Sequence, residues 1–187
     1  MALVNPSDEW TKQDLTDFAS ASFARFEEEE TTAQPIIRRA TPDDAEAITP
    51  VHVASIRTLC AKDYTPEQID AWAGWKSPEK YRAAMAAGEV FFVAEVDGGV
   101  VGFSVLFGDE VKAVYLHPDH VGRGIGRRLL EAVEAEARAN GVPELKLTST
   151  LTSVRFYESC GYTRGDLHQH PVTGGVTLPC VHFSKRL

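Results

Sequence analysis

Only three cysteines occur in the 187 residues, Cys60, Cys160 and Cys180. They are odd in number, far apart and without a Cys-x-x-Cys pair, which argues against a disulfide framework or a zinc knuckle. A reducing compartment fits, and Cys160, set between Tyr157 and Tyr162, is expected to pack rather than to act as a nucleophile. No apolar run is long enough to span a bilayer, and Met1 to Pro6 lack the basic-then-apolar layout of a secretion signal. The expectation is a cytoplasmic protein with no membrane partner. A broad basic face is also missing. The net charge is −8, and residues 1 to 35 alone hold eight acids against two bases, whereas the remainder carries 19 acids and 17 bases. An acidic extension therefore sets the balance, and nucleic acid is a disfavoured partner. The 43% hydrophobic content supports one core without metal or disulfide staples.

The chain divides into an extension, 1–35, and a body, 36–187. The extension ends in a like-charge run, Glu27 to Glu30, and its Trp10, Leu15, Phe18, Phe23 and Phe26 are spaced loosely as in an amphipathic helix, so it reads as helical or mobile. In the body, Ile36 and Ile37 open a strand. Thr41, Pro42 and Asp44 then signal a helix toward Cys60, with a kink or break expected near Thr49 because Pro50 lies inside it. Thr65 and Gln68 form a capping box for a second helix, and Ser77 and Pro78 start a third that stops at Gly88. The period then changes. Val90 to Val96, Val100 to Phe107 and Val111 to Leu116 read as an antiparallel meander, followed by a helix through Ile125, Leu129, Leu130, Val133 and Ala137. A strand at Leu145 to Leu147, a short helix at about Ser153 to Ser159 and two strands around Leu167 and Val181 complete an α/β (α+β) order.

Between the third meander strand and its helix lies Val121-Gly122-Arg123-Gly124-Ile125-Gly126-Arg127-Arg128. Glycines allow close backbone approach, and unpaired amides at a helix N-terminus carry the positive end of the dipole, so a phosphate or diphosphate fits there. No Gly-Lys-Ser or Gly-Lys-Thr follows, which removes the P-loop reading, and the next strand ends in Thr148, Ser149 and Thr150 rather than the acid a dinucleotide fold needs.

This strand, the Pro118 corner and the glycine loop resemble the coenzyme A loop of the GNAT acetyltransferase superfamily. Phe156, Tyr157, Gly161 and Tyr162 resemble the family's later Phe-Tyr-x-x-x-Gly-Phe segment, in the right order and spacing. The resemblance covers residues 36 to 187. It implies the GNAT acyl-CoA N-acyltransferase fold, a central mixed, mostly antiparallel sheet flanked by helices. It further implies acetyl-CoA as co-substrate, no metal, and a primary amine acceptor, on a small molecule or on a protein or peptide. The backbone of Val114, Tyr115 and Leu116 would pair with the pantetheine arm. The loop Val121, Gly122, Arg123, Gly124, Ile125, Gly126 and Arg127 would hold the diphosphate, with Thr150 and Ser153 alongside. Tyr157 would protonate the departing thiolate. Two positions depart from the family pattern: Val121 stands where Gln or Arg is usual and Thr150 where Asn is frequent, which weakens side-chain support of the coenzyme.

An attacking amine must lose a proton. Glu110 is the first choice of base, with Asp63 and Glu67 behind it; ordinary solvated acids are the competing reading for each. His117 and His120 read as structural corner residues, and His168, His170 and His182 as strand positions rather than metal ligands. Acceptor groups are expected from Ile56 to Trp75, where Tyr64, Trp72 and Trp75 either wall a pocket or belong to the core. The acceptor's identity and whether the chain forms a homodimer stay open. The alternative function is a sensor or interaction module that binds the acyl-CoA with little or no turnover.

Overall fold

The computed structural model describes residues 34–74 and 76–187. The helical reading of residues 10 to 26, the rest of the acidic run, and Trp75 lie outside the described residues.

Among the described residues, seven strands form one sheet in the order β1-β2-β3-β4-β5-β7-β6. They are β1 (Ile36–Arg39), β2 (Val90–Val96), β3 (Gly99–Phe107), β4 (Glu110–Leu116), β5 (Glu144–Thr150), β6 (Thr163–Pro171) and β7 (Thr177–Arg186). The helices are α1 (Ala45–Leu59), α2 (Pro66–Ala73), α3 (Pro78–Ala86), α4 (Ile125–Ala139) and α5 (Val154–Ser159). The expected meander is present, β2, β3 and β4 pairing antiparallel in succession. One pairing differs in kind. β4 and β5 run parallel and meet only at Glu110 with Lys146 and Val111 with Leu147. Beyond that point both continue, to Leu116 and to Thr150, without pairing, so a gap opens in the middle of the sheet.

The two sheet faces are covered by different helices. Leu130, Val133 and Ala137 of α4 and Tyr157 of α5 pack with Val111, Leu145, Leu147, Val181 and Phe183. On the opposite face, Ala45, Ile48 and Val51 of α1 and Tyr81 of α3 pack with Phe91, Val93, Phe103 and Val105. A bulge tunes which side chains of β4 face which layer. Val105 pairs with Ala113 and Leu106 with Val111, leaving Lys112 as the extra residue. Val111, Val114 and Leu116 therefore pack with α4, and Ala113 and Tyr115 with α1.

Local signals explain most element ends. The Thr65 box closes as its spacing predicts: Gln68 N–H donates to Thr65 Oγ1 at 3.3 Å and Thr65 N–H to Gln68 Oε1 at 3.0 Å. The expected break at Pro50 does not occur, and α1 runs through it. Thr49 Oγ1 donates to the Ala45 carbonyl at 2.8 Å. Pro50 lies on the exposed side of the helix, as does Glu46, whose carbonyl loses its backbone donor where water can replace it.

Before α1, the Arg38 guanidinium grips Asp44 at 2.7 and 2.9 Å, and Thr41 N–H donates to the same carboxylate at 2.7 Å. The Arg38 hydrogen bonds first, then the Thr41 amide, hold Asp44 at about 2, below its ordinary 3.8. A depressed carboxylate stabilises the folded state above its unfolded value and loses that contribution as pH falls through the folded one. Asp44 should therefore contribute about 2 kcal/mol above about pH 4, lost toward pH 2. Asp44→Asn should flatten the acid limb of stability measured by urea unfolding across that window. Superimposable acid limbs in the two proteins would contradict the assignment.

Candidate active site

The gap between β4 and β5 opens into a cavity of about 490 Å³. Its walls come from both faces of the sheet: Gly124, Gly126 and Arg127 of the loop and α4, Phe156 and Tyr157 of α5, and Ser55, Leu59 and Cys60 from the end of α1. It is thus a passage through the sheet rather than a surface dent.

One wall is the glycine loop. After β4, His117 N–H returns to the Val101 carbonyl at 2.8 Å, and Pro118–His120 make a single 3-10 turn. Gly122 and Gly124 follow at φ 79° and 76°, left-handed conformations that a side chain disfavours. The first hydrogen bond of α4 runs from Arg128 N–H to Gly124 C=O at 3.3 Å. Among the described residues, none of the amides from Gly122 to Arg127 donates to a protein acceptor. Six adjacent donors at the positive end of a 15-residue helix make an anion cradle. Gly126 has another role. A Cβ there would lie 3.3 Å from Leu116 Cδ1 and 3.5 Å from Phe156 Cε2, so its absence lets the helix start press against β4 and α5. Arg127 lines the cavity and is tethered, its Nη2 donating to the Ser159 carbonyl at 3.1 Å.

Tyr157 also lines the cavity, buried at 6% exposure and packed against Phe156, Tyr162 and Phe183 at ring distances of 5.0, 5.7 and 5.9 Å. Burial first, and neighbouring Cys160 second, push its phenol well above the ordinary value of 10.0, so it stays protonated. Its hydroxyl bonds to no described protein group, and the side chain lines the cavity. Thr150 Oγ1 and Ser153 Oγ, 3.2 Å apart, lie on the same wall.

The structure thus brings together Val114, Tyr115, Leu116, Val121, Gly122, Gly124, Ile125, Gly126, Arg127, Thr150, Ser153 and Tyr157 around one cavity. Arg123 does not line it, and neither does Glu110. Glu110 stands just before the point where β4 and β5 part, bound to Lys112 Nζ at 3.2 Å, and borders a neighbouring cavity of about 670 Å³ that shares Thr148 with the first. Asp63 accepts from Thr152 Oγ1 at 2.6 Å, and Glu67 is an exposed acid of α2. Tyr64 and Trp72 prove to be core: Tyr64 OH donates to the Pro179 carbonyl and receives Leu151 N–H, each at 2.9 Å. His117 accepts Asp119 N–H at 3.4 Å, a corner contact. His168 and His182 stack with ring planes 2° apart and centroids at 3.7 Å. Among the described residues no group of three His, Cys, Asp or Glu is placed to hold a metal, and no helix is long and apolar enough to cross a membrane.

Leu59, Cys60 and Lys62, from the stretch expected to supply acceptor groups, line the cavity, and so do Ser55 and Lys112, which sequence reasoning missed. Ser55 lies within α1, where its signal is indistinguishable from core packing until topology brings the end of α1 over the gap.

The family model of the acetyltransferase (GNAT) domain matches residues 87–164. The chain is 30% identical over 141 residues to the L-methionine sulfoximine/L-methionine sulfone acetyltransferase of Salmonella typhimurium, covering 68% of this chain and 79% of that one. This chain belongs to the GNAT acetyltransferase family. It is an acyltransferase by that membership. An acetyltransferase of Pectobacterium atrosepticum is 38% identical over 131 residues, 65% of this chain and 83% of that one. A GCN5-related N-acetyltransferase from Rhodopseudomonas palustris superposes with a TM-score of 0.77 at 33% identity, covering 84% of this chain and 98% of that one. The PaiA N-acetyltransferase of Thermoplasma acidophilum, solved in complex with coenzyme A, shares the GNAT fold at 23% identity, TM-score 0.69, with 83% and 100% covered.

Proposed function

We propose that this GNAT protein transfers the acetyl group of acetyl-CoA to a primary amine by direct attack. The observation that carries the reading is one cavity lined both by a row of unpaired amides and by a buried, protonated phenol. The residues present fit the coenzyme. The amides of Gly122 to Arg127 and the tethered Arg127 suit a diphosphate. The edges of β4 beyond Val111 and of β5 beyond Leu147 have no strand partner and suit an amide-bearing pantetheine arm lying between them.

In the reaction, a C–N bond forms to the acetyl carbon as its C–S bond breaks. Tyr157 O–H gives its proton to the departing sulfur, and the amine's surplus proton leaves toward Glu110, through water because Glu110 stands outside the cavity. Holding amine and thioester in one passage supplies the proximity term. Glu110→Gln should lower kcat/KM for the amine about 10²-fold and make it climb steeply with pH, as free amine in solution becomes the reactant. An unaltered pH profile would remove Glu110 from the mechanism.

A saturating excess of acetyl-CoA, about 100 times Kd, should add about 2.7 kcal/mol and raise Tm by about 5 °C or more. Thiol release should then follow with some member of an amine library. A second reading, a module that binds the acyl-CoA without turning it over, draws on Val121, an exposed apolar side chain where the family usually places Gln or Arg. Tight binding with no thiol release from any amine would favour it.

A further inference from the structure

The resemblance uses Tyr115 only through its backbone, yet its side chain reaches the cavity from the α1 face. The ring is held by its neighbours. His52 lies 3.9 Å away between centroids, Phe103 5.6 Å and Trp72 6.3 Å. His52 is itself buried and anchored, its Nδ1 2.8 Å from Tyr81 OH. The Tyr115 hydroxyl bonds to no described protein group, and Tyr115 is one of the residues that line the cavity. Burial first, then nearby Cys60 and Tyr157, hold its proton well above the ordinary phenol range. Two protonated phenols therefore face the gap, Tyr157 from the α5 side and Tyr115 from the α1 side. The charged residues that line the cavity, Lys62, Lys112 and Arg127, are all cationic, so none of them could orient an amine by ion pairing.

We propose that Tyr115 binds the acceptor: its hydroxyl oxygen accepts an N–H of the incoming neutral primary amine and aims the nitrogen lone pair at the thioester carbonyl, with His52 as the positioning residue that fixes the ring. This rests on the acetyl-transfer reading above. No proton leaves Tyr115 in the step, since a neutral phenol accepts the N–H through its oxygen lone pair.

Tyr115→Phe keeps the ring and its cage and removes only an unpartnered hydroxyl, so the fold should be retained. The expected result is a fall of about 10- to 100-fold in kcat/KM for the amine, the effect of one lost hydrogen bond in the transition state. KM for acetyl-CoA and the Tm rise it produces should stay as in the unsubstituted protein. His52→Ala should show the same split; a parallel loss of acetyl-CoA binding would mark His52 as merely structural. Amine kcat/KM within twofold of the unsubstituted protein in Tyr115→Phe would overturn the proposal. If the unsubstituted protein gains Tm from acetyl-CoA yet releases no thiol with any amine, the transfer reading itself fails and this role falls with it, a result distinguishable because no substitution is involved.

Discussion

Tyr157→Phe should lower kcat about 10²- to 10³-fold while leaving KM for acetyl-CoA nearly unchanged. The ring sits in a well-packed aromatic cluster with Phe156, Tyr162 and Phe183, so phenylalanine keeps the packing and takes away only the hydroxyl. That hydroxyl makes no hydrogen bond to any described protein group, so its loss should not disturb the fold. What disappears is the proton for the departing sulfur. Because burial holds the phenol protonated far above neutral pH, the activity of the unsubstituted protein should show no loss of this acid between about pH 7 and 9. Steady-state kinetics with a thiol-release readout checks both points. A kcat within threefold of the unsubstituted value would leave the thiolate to depart unaided, and Tyr157 would revert to a core aromatic.

Gly124→Val should weaken acetyl-CoA binding about 100-fold, measured by calorimetry. Nothing lies within 4 Å of a Cβ added there, so the substitution meets no clash. The cost is conformational. At φ 76° a β-branched residue is strained by about 1–3 kcal/mol, and the turn relieves that strain by rotating away from the left-handed region. Rotation at this residue swings the amides of Gly124, Ile125 and Gly126 off their common direction, which is the feature that makes the loop a cradle. The α4 core, with Leu129, Leu130 and Val133 almost fully buried, lies beyond the turn and should hold the helix in place. A near-normal Kd in a folded Gly124→Val protein would show that the coenzyme is held by something else.

These two residues also mark what the sequence makes legible. The glycine loop, the Tyr157 segment and the Thr65 box are local signals: the spacing alone specifies the geometry, and each is found where expected. The β2–β4 meander follows from the order of periodic segments, while the full mixed, mostly antiparallel sheet is implied by the resemblance to the GNAT family. Other features depend on contacts between distant segments. Nothing in Glu110 to Leu116 announces that Lys112 is the extra residue of a bulge, yet the bulge turns Tyr115 toward α1 and Val111 toward α4. The gap that makes the cavity exists because β4 and β5 share only two paired positions, a fact about two strands separated by all of α4. The same distance explains Cys60 and Ser55, whose place on the cavity wall requires α1 to cross the far face. Pro50 shows the opposite failure, a strong local rule overridden because its lost hydrogen bond falls on the exposed side of the helix.

Titrating the uniformly ¹⁵N-labelled protein with acetyl-CoA and following its amide chemical shifts should move the signals of Gly122 to Arg127 most, with smaller changes along Val114 to Leu116. Saturation with acetyl-CoA that leaves the signals of Gly122 to Arg127 where they were would contradict their role as the diphosphate cradle.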